Sequence, residues 1–138
     1  MQLIEALRYS QNSVMAFVGA GGKTTALFKA ARELSAIPEP EMTNNTVLVT
    51  TTTHLGLWQV RLADHIIHVN SKSDLRNLEM RLPFGVVILI GEEENDRLTG
   101  MSSMLLEEIR CLAEKHHLPL LIEADGSGSR PLKAPAAH

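Results

Sequence analysis

The chain has 138 residues, 44% hydrophobic and 21% charged, with a net charge of −3. That length suits one domain with a core of its own, and the charge speaks against nucleic acid as a partner, which would need a basic stripe. The single cysteine, Cys111, excludes an internal disulfide, no apolar run reaches the roughly 18 residues of a membrane span, and Met1 to Arg8 mixes acid with base unlike a signal peptide. A cytoplasmic protein without membrane contact is expected.

Residues 2–9 read as a short helix with Leu3, Ile4 and Leu7 on one face, broken by the polar stretch Ser10 to Ser13. Val14 to Val18 is apolar throughout, as in a strand buried on both faces of a parallel sheet. Glycines follow, then a helix with Leu27, Ala30, Ala31 and Leu34 on one stripe, stopped near Pro38. After a loop over 37–46, Thr46 to Thr53 is rich in β-branched residues and predicts a second strand. Ile66 to Val69 predicts a third. Ser73 to Leu82 predicts a helix capped by Ser71 or Ser73 and ended by Pro83. Val86 to Ile90 predicts a fourth strand closed by Gly91, and Glu92 to Asp96 reads as a charged, solvated turn. A helix begins at Ser102 or Ser103 with Leu105, Ile109, Leu112 and Ala113 on its apolar face, and Leu120 to Ile122 opens the last strand. Trp58 is expected to pack against a neighbouring helix and Cys111 to join the core, while His116 and His117 complement a helix dipole. Alternating strands and helices predict an α/β fold of three layers, a mainly parallel sheet between helices.

The strongest chemical signal is Gly19-Ala20-Gly21-Gly22-Lys23-Thr24-Thr25, set between a buried strand and an amphipathic helix. Glycines let backbone N–H groups close around an oxyanion, and the free N–H groups at the helix start add positive potential. Lys23 supplies a mobile cation for the β- and γ-phosphates, and the Thr24 hydroxyl is placed to ligate Mg2+. The pattern G-x-x-x-x-G-K-[ST] wants glycine where Phe17 stands, so the loop is the shorter G-x-x-G-K-T. With its double threonine it resembles the G-T-N-G-K-T-T loop of Mur-type ATP-dependent ligases. The alternative is a plain glycine turn, in which the Lys-Thr pair has no role.

Thr50-Thr51-Thr52-Thr53-His54 forms the second signal, at a strand's carboxyl end, where ligands bind in open parallel sheets. Ordinary strand preference explains part of it; Thr52 is assigned to the nucleotide. The third is Leu120-Leu121-Ile122-Glu123-Ala124-Asp125, an apolar strand running into acid, as where a strand-end carboxylate holds Mg2+. Glu123 and Asp125 fall on one side of the strand, about 6.5–7 Å apart. Asp125 is assigned to the metal with Thr24, or else it caps the turn Gly126 to Ser129. Arg130 and Lys133 either reach phosphate or are solvated.

These segments, with Arg130-Pro131-Leu132-Lys133-Ala134-Pro135 and Leu98-Thr99-Gly100-Met101-Ser102, together resemble the YqeC family. Its members are described as selenium cofactor biosynthesis proteins, or accessory proteins of selenium-dependent molybdenum hydroxylases. They continue well past the Pro-Leu-Lys-Ala-Pro segment, so residues 1–138 are expected as one P-loop NTPase-like nucleotide-binding domain. The chain is then either a C-terminally truncated piece of a longer protein or a short gene product.

The residues lead to an NTP-dependent accessory protein, an Mg2+-dependent NTPase, and the resemblance implies that it acts in selenium or molybdenum cofactor maturation. Its partners would be a nucleoside triphosphate and a selenium-dependent molybdenum hydroxylase or its maturation proteins. Lys23, Glu123 and Asp125 carry the catalysis in that reading, and Gly19 to Thr25 hold the phosphates. A nucleotide-responsive delivery module without hydrolysis is the alternative; a Mur-like ligase, needing further domains, ranks lowest. No Asn-Lys-x-Asp guanine signature occurs, which favours ATP over GTP.

Overall fold

Strand β1 (Val14–Phe17) leads through the glycine loop into helix α1 (Lys23–Ser35), and β2 (Thr46–Thr51) follows. This computed structural model describes residues 3, 14–19, 22–37 and 45–124. Next come β3 (His54–Gly56), the one-turn helix α2 (Leu57–Val60), β4 (His65–His68) and α3 (Lys72–Met80). The chain continues with β5 (Gly85–Ile90), β6 (Glu93–Glu94), β7 (Arg97–Thr99), α4 (Ser103–His116) and β8 (Leu120–Glu123).

Five strands form one sheet in the order β1-β8-β2-β5-β4, every neighbouring pair parallel. Side-chain alternation splits its residues between two cores. Val47, Val49, Val86, Ile88, Ile90 and Leu121 pack with Leu27, Phe28, Ala30, Ala31 and Leu34 of α1. On the opposite face Leu48, Val87, Leu89, Leu120 and Ile122 pack with Leu75 and Leu78 of α3 and Leu105, Ile109, Leu112 and Ala113 of α4. The apolar stretches Val47 to Val49, Val86 to Ile90 and Leu120 to Ile122 are therefore what a sheet covered on both faces requires. Ser71 caps α3 by accepting from the Asp74 N–H, and Ser102 caps α4 by accepting from the Leu105 N–H.

The α/β class, the parallel sheet and its covering helices agree with expectation, as do all five of its strands. Several local readings do not. Glu92 to Asp96 is no plain loop: β6 and β7 make an antiparallel hairpin turning at Asn95 and Asp96, both at positive φ (53° and 63°). Two such residues give a turn whose twist matches its flanking strands. β7 also pairs with β3, building a second, three-stranded sheet. The Thr46–Thr53 strand stops at Thr51, because the Thr53 N–H turns back to the Thr51 Oγ1 at 3.1 Å. Trp58 packs under no helix and is 69% exposed. Cys111 is exposed too, since only Leu112 and Ala113 beside it face the sheet. Lys115 and His116 do more than face a dipole, for both reach Glu79 of α3 at 2.7 Å. The helix expected over 2–9 lies outside the described residues apart from Leu3, which packs against the α1-side core. Among the described residues no helix is long and apolar enough to cross a membrane.

One polar tie anchors α1 across the sheet's end. Arg32 Nη1 donates to both Asp64 carboxylate oxygens at 2.8 Å, and the Val86 N–H donates to Asp64 Oδ2 at 2.8 Å. The Arg32 hydrogen bond, helped by that N–H, holds the Asp64 carboxyl below its ordinary value, against a smaller opposing effect of burial. A depressed carboxyl stabilises the fold above its unfolded value, about 3.9, and the contribution fades as pH falls through the folded value. Asp64→Asn should therefore cost about 0.2–1 kcal/mol at pH 7, the range for an exposed pair. In urea unfolding the gap between wild type and Asp64→Asn should narrow as pH falls from about 7 to below the unfolded value. A gap of constant size would contradict the assignment.

Candidate functional site

The register of the sheet decides where polar residues meet. Phe17 pairs with Glu123, and Glu123 pairs with Thr51, so β1, β8 and β2 end level and side by side. The glycine loop, the acidic strand end and the threonines thus share one edge, the carboxyl edge where parallel sheets bind ligands.

Within the loop, Gly19 and Gly22 have φ of +113° and +73°, a region that L side chains rarely adopt. Gly22 is the residue preceding α1, and its left-handed turn aims the helix start at the strand edge. No side chain caps α1 and its first turn holds no acid, in contrast to the serine-capped α3 and α4. Among the described residues no side chain takes up its first N–H groups, which carry the positive end of the helix dipole. Ala20 and Gly21 lie outside the described residues. Thr25 is exposed on the first turn of α1.

Lys23 and Thr24 both turn towards β8. The Lys23 Nζ donates to the Ala124 carbonyl at 3.2 Å. Thr24 Oγ1 donates to Glu123 Oε1 at 2.6 Å, across 99 residues of sequence. Glu123 is only 6% exposed and points to the α1 face, like Leu121 two residues before it. No described residue donates to its second oxygen, Oε2. A buried carboxylate with one oxygen unsatisfied calls for a cation or an ordered water. Its hard oxygens, beside the Thr24 hydroxyl, have the chemistry that Mg2+ prefers. Among the described residues no group of three or more His, Cys, Asp or Glu side chains could hold a metal, so other oxygens would have to complete a shell. Asp125, expected to share the ion, lies outside the described residues.

The threonine run divides. Thr50 Oγ1 donates to the Leu89 carbonyl and Thr51 Oγ1 to the Glu123 carbonyl, at 2.8 and 3.1 Å, and both threonines are fully buried. Their hydroxyls lock β2 to its neighbours and are not available to a ligand. Thr52 remains exposed at the edge, its N–H bonded to the Glu123 carbonyl at 3.1 Å. His54 is exposed on β3.

Sequence reasoning missed Gln59. Its Nε2 donates to Thr24 Oγ1 at 3.4 Å, while its Oε1 accepts the Gly56 N–H at 2.8 Å. The only trace in the sequence is the spacing Gly56-x-x-Gln59, a weak form of the helix-start pattern in which Gln reaches back to the chain.

The sequence model of the YqeC protein matches residues 15–138. The chain belongs to the YqeC family. An Escherichia coli K12 relative, carried under the name uncharacterized protein YqeC, is 31% identical over 131 residues, which make up 91% of this chain and 45% of that protein. The chain thus spans less than half the length of that relative. No solved structure matches. Every residue of the candidate site falls inside the stretch that carries YqeC membership.

Another YqeC-like segment, Leu98 to Ser102, buttresses the threonine end. The Met101 N–H donates to the Thr51 carbonyl at 2.8 Å. A Cβ on Gly100 would stand 2.5 Å from the Thr53 carbonyl oxygen and 2.6 Å from that of Thr51, both backbone atoms that cannot swing aside. Gly100→Ala should therefore destabilise by at least the roughly 1–3 kcal/mol of an overpacked core. Chemical denaturation measures it, and an unchanged midpoint would show that the strand end yields.

Proposed function

We propose that this YqeC-family chain binds a nucleoside triphosphate, ATP or GTP, with Mg2+, on a P-loop NTPase-like fold. Its reaction would be Mg2+-dependent hydrolysis in the service of selenium or molybdenum cofactor maturation. The carrying observation is the 2.6 Å bond from Thr24 Oγ1 to Glu123 Oε1, which joins the start of an uncapped helix behind a glycine loop to a buried acid on the adjacent strand. A triphosphate there meets N–H donors of the loop and of α1, and the Lys23 ammonium can leave the Ala124 carbonyl for a phosphate oxygen. Thr24 and Asp125 would hold the ion, with Glu123 behind Thr24 or reached through water. Thr52 borders the site and serves as a contact to the nucleotide.

Phosphoryl transfer needs positioning and charge neutralisation more than covalent chemistry, and this residue set supplies both. The cofactor-maturation setting rests on the family resemblance. By that resemblance the partner is a selenium-dependent molybdenum hydroxylase or one of its maturation proteins.

Calorimetric titration with ATP and with GTP, each with Mg2+, tests the reading. Lys23→Ala should weaken binding of the preferred triphosphate by about 10- to 150-fold, the equivalent of about 1.5–3 kcal/mol for a charged hydrogen bond. Its fold should persist, since Lys23 sits half-buried at a helix start. Equal affinity in wild type and variant, or no binding of either nucleotide, would overturn the assignment.

A further inference from the structure

The Thr24 hydroxyl oxygen has four directions: its bond to Cβ, its O–H and two lone pairs. The O–H is donated to Glu123 Oε1, and Gln59 Nε2 donates to one lone pair. Among the described residues nothing donates to the other lone pair. Two partners on different elements, β8 and α2, thus fix the direction in which Thr24 can offer its last acceptor site. The orientation of the Gln59 amide is itself determined, because the Gly56 N–H requires the oxygen, so the NH2 group must face Thr24.

We infer that Gln59 is a further positioning residue of this site: acting through Thr24, it orients the free lone pair of the hydroxyl toward a divalent cation bound with the triphosphate. The inference rests on the nucleotide reading given above and adds a residue outside the glycine loop and the acidic strand. A hydroxyl held on two sides loses little freedom when a cation arrives, whereas a free rotor must be ordered at that moment. α2 is a single turn preceded by Gly56 as its N-cap, so the tie to Thr24 also holds that turn against the first turn of α1.

A double-mutant cycle separates positioning from a merely structural role. The readout is the gain in ATP affinity (GTP in parallel) on adding Mg2+ to metal-free protein, measured by calorimetry on the full chain. Gln59→Met should reduce that gain by about 3- to 10-fold, in line with the loss of one hydrogen bond, and leave metal-free affinity unchanged. In a Thr24→Val background, Gln59→Met should change the gain by less than about 2-fold, because the group it acts through is gone. Should Gln59→Met unfold α2 by removing the acceptor for the Gly56 N–H, Gln59→Glu retains that acceptor and loses the donation, and the same cycle is read with it. An equal loss in both backgrounds, or no loss in either, overturns the positioning role while nucleotide binding stands. No Mg2+-dependent gain in the wild type overturns the nucleotide reading itself, and this inference with it.

Discussion

A buried carboxylate must find partners, and among the described residues one hydroxyl meets that need at one of the two Glu123 oxygens. Glu123 ends a strand flanked on both sides by other strands, with almost no access to solvent. Leaving such a group unpaired costs several kcal/mol, so the position of Thr24 opposite it is a structural necessity before it is a functional one. The bond pins the first turn of α1 to the end of β8. It is also short and charge-assisted, among the stronger hydrogen bonds a protein makes.

The strand order brings the same groups together. With β8 inserted between β1 and β2, the loop, the acid and the threonine end occupy adjacent positions on one edge, although 99 residues separate Thr24 from Glu123 and 72 separate Thr51 from it. The second sheet then serves as a brace. β7 pairs with β3, and Gly100 and Met101 close onto the Thr51–Thr53 backbone, so that the threonine end is clamped from outside the main sheet. α2, which follows β3, is delivered by that brace to the side of Thr24.

Much of this was legible in the sequence because it depends on local pattern. Continuous apolar runs announced strands covered on both faces, and serines announced the starts of α3 and α4. The glycine loop was legible because its positive-φ positions demand glycine whatever the rest of the chain does. What escaped depends on contacts between distant elements. The β3–β7 pairing joins segments too short for any periodicity to register. Thr50 and Thr51 look identical to Thr52 in sequence, and only strand pairing shows that the first two hydroxyls are consumed internally. Trp58 and Cys111 were misplaced because residue type says how often a side chain is buried, not which way a particular turn faces. Gln59 was invisible for a further reason: a glutamine has no distinctive spacing, and its role arises where α2 happens to meet α1.

The proposed function places one cation between Thr24 and the acidic end of β8, beside the glycine loop. A crystal structure with Mn2+ and a non-hydrolysable triphosphate analogue tests it most directly, because the ion's anomalous signal locates it without assumption. A single peak is expected at coordination distance from Thr24 Oγ1, about 2.0–2.4 Å, as for hard oxygen ligands. Phosphate oxygens should complete the shell, and Glu123 should lie within direct or one-water reach. An analogue bound away from residues 19–25, or an ion that does not touch Thr24, would contradict it.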